Sequence, residues 1–395
     1  MIDTTQRIEP ARLEALPEKV TDLVAELASS AANLGNRLHP LTAANLADVV
    51  RIMNSYYSNL IEGNNTRPRD IERALAGDLE ADPARRNLQI EAASHVRVQA
   101  AIDQLARQGA LPEPASVDFI RWLHREFYRD ADPSMLVVTG AGRDFNMVPG
   151  EWRSRPEHDV AVGRHIPPAS PRVDEFMRYL ADRYQFNTMG MAGKVVCMAI
   201  SHHRFNFIHP FPDGNGRVSR LMSHAMAWHA GIAAGGLWSI SRGLARGLAS
   251  RGEYNQMMDL ADSVRESDLD GRGNLSQKAL IAFISWFLEV ALDQVRFMSG
   301  LFELEALSRR LRALARELLL PAEAEFLLDT VMQRGEIDRG EVPRVTGLPE
   351  RSARRVLNAL VQKGLLASTT PKGAVSLRFP ASSLEILFPR LFPQI

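Results

Sequence analysis

From Thr42 to Glu62 apolar residues recur in steps of three and four, at Leu46, Val49, Val50, Met53, Tyr57, Leu60 and Ile61, and this spacing predicts one amphipathic helix. Thr42 is its expected N-cap and Gly63 its left-handed terminator. Thr66, Arg67 and Pro68 read as a second cap with proline in the first turn, opening a short helix to Leu79. Longer helical patterns cover 87–108 and 116–128. The stretch 134–168 breaks the rhythm with Gly140, Gly142, Gly150, Gly163 and four prolines, and short alternating pieces such as Asp159 to Val162 predict a loop with a β-hairpin. Helical spacing resumes over 172–184, 190–205, 216–230, 251–262 and 276–316, the last broken in two. After Leu320 the grammar changes. A helix over 323–333, a short one near 339–345, the turn Thr346 to Pro349, a third helix ending at Lys363 and two short strands around 370–373 follow the order of a winged helix-turn-helix.

Composition narrows the class. The 395 residues are 45% hydrophobic and 24% charged, an ordinary globular balance, and the length suits two or three domains. Lys+Arg and Asp+Glu both total 47, so no global field draws the molecule to nucleic acid or anionic lipid, and any such binding is local. Cys197 is the only cysteine, which excludes an intrachain disulfide and suits a reducing, cytoplasmic setting. The first residues lack the basic and apolar regions of a secretory signal. The longest uncharged stretch, 221–241, holds His224, His229, three serines and three glycines, so it reads as a core helix with a glycine-rich turn and not as a membrane span.

The chemistry concentrates between His209 and Arg220. Gly214, Asn215 and Gly216 at the opening of a helix let successive backbone N–H groups face one concavity, and the helix dipole makes that concavity an anion seat. Arg217 and Arg220 lie on one helical face, where their guanidinium groups match phosphate oxygens. Asp213 offers a carboxylate of the kind that Mg²⁺ bridging two phosphates requires. His209 is the nearby group that takes a proton near neutral pH. Phe211 is the expected buried anchor of the loop. His202 and His203 precede this stretch, but adjacent helical residues point about 100° apart and do not readily share an ion, so at least one is a core or supporting residue.

His209 to Arg220 matches the whole signature H-x-F-x-D/E-G-N-G-R-x-x-R, and on this the sequence resembles the Fic proteins, most of which transfer AMP from ATP to a hydroxyl of a target protein. Residues 162–168 resemble the family's flap and residues 268–276 its later Asp-Gly-Arg-Gly segment, so the likeness covers about 43–298. Asn206 departs from it, standing where many members have Glu. The resemblance implies a mainly α fold, a Fic-type helical bundle with a β-hairpin flap, followed here by the winged helix-turn-helix. It divides the chain into a helical region 1–110 with an inhibitory helix 42–63, a core 111–300 with a flap at about 146–168, a linker helix 301–320 and a winged domain 321–395.

The roles implied are equally definite. His209 is the base on the target hydroxyl and Asp213 the Mg²⁺ ligand. Gly214, Asn215 and Gly216 seat the α and β phosphates of ATP, Arg217 holds the β region and Arg220 the γ phosphate. Val160, Ala161, Val162 and Gly163 pin the target segment in extended form. Tyr254 reads equally as a wall of the adenine pocket and as a core tyrosine. Ser58 to Gly63 matches the inhibitory signature S/T-x-x-x-E-G/N, with Glu62 expected to occupy Arg220 and Ser58 one turn back on the same face. A carboxylate at a helix C-terminus is disfavoured by the dipole, which gives Glu62 a reason to seek an outside cation.

Between Pro321 and Pro380 Lys and Arg number nine and Asp and Glu seven, a weak signal for DNA. Arg351, Arg354 and Arg355 still concentrate on one predicted helix, and DNA contact and protein contact stand level there. The reading is thus an autoinhibited protein adenylyltransferase, with ATP, Mg²⁺ and a target protein as partners. Self-modification and a homodimer stay open, and no membrane is involved. Its rivals are a DNA-binding regulator with a nucleotide-sensing body, removal of AMP, and another nucleotidyl transfer.

Overall fold

The computed structural model describes residues 3–140 and 143–392. The elements in chain order are α1 (Glu18–Asn36), α2 (Pro40–Ile61), α3 (Pro68–Leu75), α4 (Pro83–Arg107), α5 (Val117–Phe127), β1 (Val137–Gly140), β2 (Arg143–Asn146), α6 (Val173–Arg183), α7 (Met191–Ile208), α8 (Asn215–His229), α9 (Ile240–Arg246) and α10 (Glu253–Ala261). They continue with α11 (Gln277–Leu301), α12 (Leu304–Glu317), α13 (Glu323–Arg334), β3 (Glu336–Ile337), α14 (Val342–Thr346), α15 (Glu350–Gln362), β4 (Leu366–Ala367), β5 (Val375–Leu377) and α16 (Leu384–Leu387). Two compact units result, both discontinuous: Met1–Ser29, Asn54–Ala233 and Ser239–Gln294 form the first, and Ser30–Met53, Ala234–Trp238 and Val295–Ile395 the second.

The first unit is built around α7. From Val195 to Phe205 every residue of this helix is buried, including His202, His203 and Arg204, so it has no solvent-facing stripe. Arg204 Nε is buried without a partner, but the rest of its guanidinium is engaged: it donates from Nη1 to His203 Nδ1 at 2.8 Å and from Nη2 to the Pro10 carbonyl at 3.0 Å. α7 ends at His209, whose φ of 49° is left-handed and whose N–H still reaches the Phe205 carbonyl, with Pro210 following. α5 begins as expected, Ser116 Oγ accepting from the Phe119 amide. Two other caps are not what the sequence suggested. α2 starts at Pro40 ahead of Thr42, whose Oγ1 donates instead to the Met332 carbonyl at 2.8 Å. α3 starts after Arg67 without a side-chain cap and stops at Leu75, and Thr66 Oγ1 is buried without a partner. In both cases a tertiary position, absent from the local pattern, decides where the hydroxyl goes.

In the 134–168 stretch the paired strands are β1 and β2, in register from Val137 opposite Asn146 to Gly140 opposite Arg143. The alternating Asp159 to Val162 piece is not a strand. Only Val162 and His165 pair there, across a tight turn in which Gly163 has φ +60°. In the second unit α13, β3, α14, α15, β4 and β5 follow one another, and the sheet order is β3-β5-β4, antiparallel throughout. β3 adds a strand that two residues of sequence were too short to announce. Among the described residues no helix is long and apolar enough to cross a membrane, and 221–241 is divided between α8, a turn and the start of α9.

Candidate active site

A cavity of about 510 Å³ in the first unit brings together residues from five segments: Glu62 after α2, Val162 to His165, Asn206 and His209 around the end of α7, Gly216 and Arg220 on α8, and Tyr254 with Asp262 at the two ends of α10. His209 sits where α7 stops. The Arg153 side chain, 1% exposed, fixes it there: Nε donates to the His209 carbonyl at 2.7 Å and Nη2 to the Ile208 carbonyl at 3.0 Å and the Pro168 carbonyl at 2.5 Å. The left-handed backbone of a non-glycine residue costs about 1–2 kcal/mol, so these bonds hold a strained conformation in place. Burial pushes the His209 imidazole down to about 4, with the Arg153 charge acting in the same direction, so the ring is neutral at pH 7 and its lone pair is available.

The loop 210–214 is tied down from inside. Phe211 is fully buried and stacks on the His124 ring at 3.8 Å. His124 Nδ1 accepts from the Gly150 amide, so Nε2 carries the hydrogen and donates to the Asp213 carbonyl at 3.1 Å. The Asn215 side chain is not turned toward the cavity: its Oδ1 accepts from the Phe211 amide and its Nδ2 donates to the Phe211 carbonyl, both at 2.8 Å. Asn215 is therefore a clamp on the loop, and only its backbone is free to serve an anion. α8 begins here, so the first N–H groups of its opening turn have no carbonyl one turn back to bond. Gly214, at φ +82°, makes the turn into the helix, and a Cβ there would stand 2.9 Å from the Tyr128 hydroxyl.

Asp213 and Arg217 form the outer part of the site. Asp213 Oδ2 accepts from Tyr128 Oη at 2.7 Å and from Arg217 Nη2 at 2.8 Å. Burial works to raise this carboxyl, but the Arg217 charge and these hydrogen bonds outweigh it, and Asp213 stays below its usual range and ionised. Its side chain is still 49% exposed. Arg217 is held on its other side by Glu91 Oε1 at 2.7 Å, and its guanidinium lies 5.2 Å from the Phe127 ring centroid. Among the described residues no group of three or more His, Cys, Asp or Glu could cage a metal. A single ionised, half-exposed carboxylate beside an anion seat fits Mg²⁺ of the kind that takes its other ligands from phosphates and water.

Arg220 is 1% exposed and already engaged. Its Nε donates to Ser58 Oγ at 2.9 Å, and its Nη2 to the Ser58 carbonyl at 3.1 Å and to Glu62 Oε1 at 2.6 Å. Burial tends to raise the Glu62 carboxyl, and the Arg220 and Arg217 charges reverse this and hold it below its ordinary value. Glu62 also presses on the helix opening, where a Cβ at Gly216 would lie 2.4 Å from Oε1. Glycine at 216 is what lets a carboxylate approach.

Tyr254 is buried yet reaches the cavity. It lines the cavity, and its hydroxyl donates to His202 Nε2 at 2.9 Å, because Nδ1 of that ring donates to Ser223 Oγ. His203 and His165 converge on Asp262, at 2.9 and 3.0 Å. His202 and His203 are thus supports of the wall and share no ion. Of the flap residues, Val160 is half-buried and Ala161, Val162 and Gly163 are exposed beside the cavity. Glu91, Tyr128, His124 and Arg153 escaped the sequence reading. Each comes from a segment far from 209–220 and carries no local signature. A second cavity, of about 440 Å³, lies by Thr66, Arg85 and Gln89 and includes none of the motif residues.

The chain is similar to known proteins in sequence and in fold. Residues 114–227 match the Fic/DOC family. A protein adenylyltransferase Fic of Nematostella vectensis is 28% identical over 230 residues, 56% of this chain and 48% of that protein. One of Drosophila willistoni is 34% identical over 82 residues, 21% of this chain and 16% of that protein. The chain therefore spans about half the length of the first and much less of the second. Two solved structures share the fold: a Fic family protein from Desulfovibrio desulfuricans (TM-score 0.52, 18% identity, 93% of this chain and 98% of that one) and a Fic domain containing signaling protein from Bacteroides thetaiotaomicron (TM-score 0.52, 21% identity, 71% and 95%).

Proposed function

Because residues 114–227 carry a Fic/DOC domain, we propose that the chain transfers AMP from ATP to a hydroxyl side chain of a target protein, and that Glu62 holds this activity down. The observation that carries the proposal is the convergence of a neutral, half-buried His209 and a Glu62-bound Arg220 on one cavity.

His209 takes the proton of the target hydroxyl as its oxygen attacks the α phosphorus. The bond from that phosphorus to the oxygen bridging to the β phosphate breaks, and pyrophosphate leaves in line. The N–H groups opening α8 face the phosphates, with Arg217 beside them and Arg220 at the γ position. Mg²⁺ bound at Asp213 would supply charge neutralisation. The exposed backbone of 161–163 is available to pair with an extended target segment. In the described state Glu62 is itself an anion placed against Gly216 and paired with Arg220, where this reading puts a phosphate. Tyr254 closes the side of the cavity where the nucleoside belongs.

The test is labelling of a cell lysate by the Glu62→Gly chain. Label from α-labelled ATP and none from γ-labelled ATP is the expected result. Label from the γ position would make the reaction phosphoryl transfer, and absence of both would end the proposal. The pH profile is a further expectation. A base whose pKa is lowered to about 4 is competent above that value and lost as pH falls through it. kcat/KM of Glu62→Gly should therefore stay level from pH 8 to about pH 5.5. A limb with its midpoint near 6.5, the value of an exposed imidazole, would mean that His209 is not the neutral base described.

A further inference from the structure

We propose that the second unit binds duplex DNA through α15, with Arg351, Arg355, Asn358 and Gln362 reading base edges in the major groove. At about 100° per residue, Ala353, Val356, Leu357 and Leu360 fall on one face of this helix, and all four are buried. Arg351, Arg355, Asn358 and Gln362 fall within an arc of about 60° on the opposite face, and all four are exposed. The stripe holds two arginines and two amides and no carboxylate. Arginine pairs bidentately with guanine and Asn or Gln with adenine, so these are the residue types that distinguish base pairs. A face meant only for solvent is normally filled with strong helix formers, whereas Asn358 is a poor one placed mid-helix with nothing to pack. From Arg351 to Gln362 the stripe is about 16 Å long, close to five base-pair steps at about 3.4 Å each.

The surroundings complete the interface. α14 and α15 are joined by a turn in which Gly347 is left-handed, the connection that lets the second helix project. The β4–β5 hairpin exposes Thr369, Thr370 and Lys372 at its tip, and Arg339 Nε holds that tip through the Gly373 carbonyl at 3.2 Å. The near balance of charge in this region conceals a local excess. Glu325, Asp329 and Glu341 are paired with Arg316, Arg312 and the arginines 334 and 344. On α15 the acidic partner is Glu350, which takes Arg354, and among the described residues no carboxylate pairs with Arg351, Arg355 or Lys372. Arg354 lies to the side of the stripe, so it belongs with Lys363 and Lys372 as a phosphate contact and not with the base readers. A protein partner is disfavoured here because the exposed face lacks any apolar or aromatic anchor.

The experiment is selection of the full-length chain, without ATP, against a random duplex library, followed by anisotropy titrations at several salt concentrations. One sequence should be enriched. On that duplex Arg351→Ala and Arg355→Ala should each weaken binding about tenfold or more, and Asn358→Ala should relax the preference at an A·T position. Lys372→Ala should weaken enriched and scrambled duplexes alike and reduce the salt slope by about 1. These side chains are exposed, so unchanged thermal melts are expected of each variant. No salt-sensitive retention of any duplex would overturn the proposal and leave the face to a protein partner. Equal affinity for enriched and scrambled duplex, or binding indifferent to Arg351→Ala and Arg355→Ala, would overturn it as well. The readout does not depend on nucleotide transfer.

Discussion

Glu62→Gly is expected to raise AMP transfer about tenfold to a hundredfold over the wild-type chain. The Glu62 Oε1 contact with Arg220 Nη2 is 2.6 Å and charge-assisted, and Glu62 is a third exposed. A hydrogen bond of this kind contributes about 1.5–3 kcal/mol, and each 1.4 kcal/mol or so is a decade in rate. Removal of the carboxylate does two things at once. It frees Arg220 for the γ phosphate, and it clears the space over Gly216, where an added Cβ would meet Glu62 Oε1 at 2.4 Å. Arg220→Ala in the same chain should cancel most of the gain, since the γ phosphate then loses its cation by another route. Equal labelling from α-labelled ATP by the wild type and Glu62→Gly would mean that the end of α2 is structural only.

His209→Ala, made in the Glu62→Gly chain, should lower transfer by about two to four orders of magnitude, the range of a lost general base, while Mg²⁺-ATP affinity by calorimetry changes little. The separation is geometric: His209 ends α7, and the N–H groups proposed for the phosphates open α8. A thermal melt controls for the space left by a half-buried ring. Transfer within a few fold of the parent would remove His209 from its role, and loss of nucleotide affinity in step with transfer would place the ring in the phosphate seat.

Much of this site was legible because its chemistry is contiguous. Twelve residues from His209 to Arg220 hold the proposed base, the carboxylate, the proposed phosphate seat and both arginines, and local rules suffice to read a turn into a helix. The Glu62 contact with Arg220 followed from an inhibitory pattern and an ill-placed carboxylate. The second role of Asn215 was not legible: its backbone can still serve an anion seat, and only the fold shows its side chain bonded twice to Phe211. Glu91, Tyr128 and His124 act on the site across about ninety residues or more of chain, and no periodicity carries that information. The end of α7 was placed at Phe205 instead of Ile208 for a related reason: a helix buried on every side has no polar stripe whose interruption marks a boundary. α1 was passed over although Val20, Leu27, Ala31 and Leu34 line its buried side. Thr42 and Thr66 show the converse, good capping residues used elsewhere or left without a partner.

The enclosure of α7 also settles which half of the site is free to yield. A helix without a solvent face opens only when the domain opens, so its backbone exchange with solvent should run near the global limit, and His209, bonded back to Phe205, inherits that rigidity. Glu62 stands at the other extreme, one residue past the end of α2 and followed by a left-handed glycine with open space around it. Hydrogen exchange is therefore expected to be slow from Val195 to His209 and faster over the few residues after Ile61.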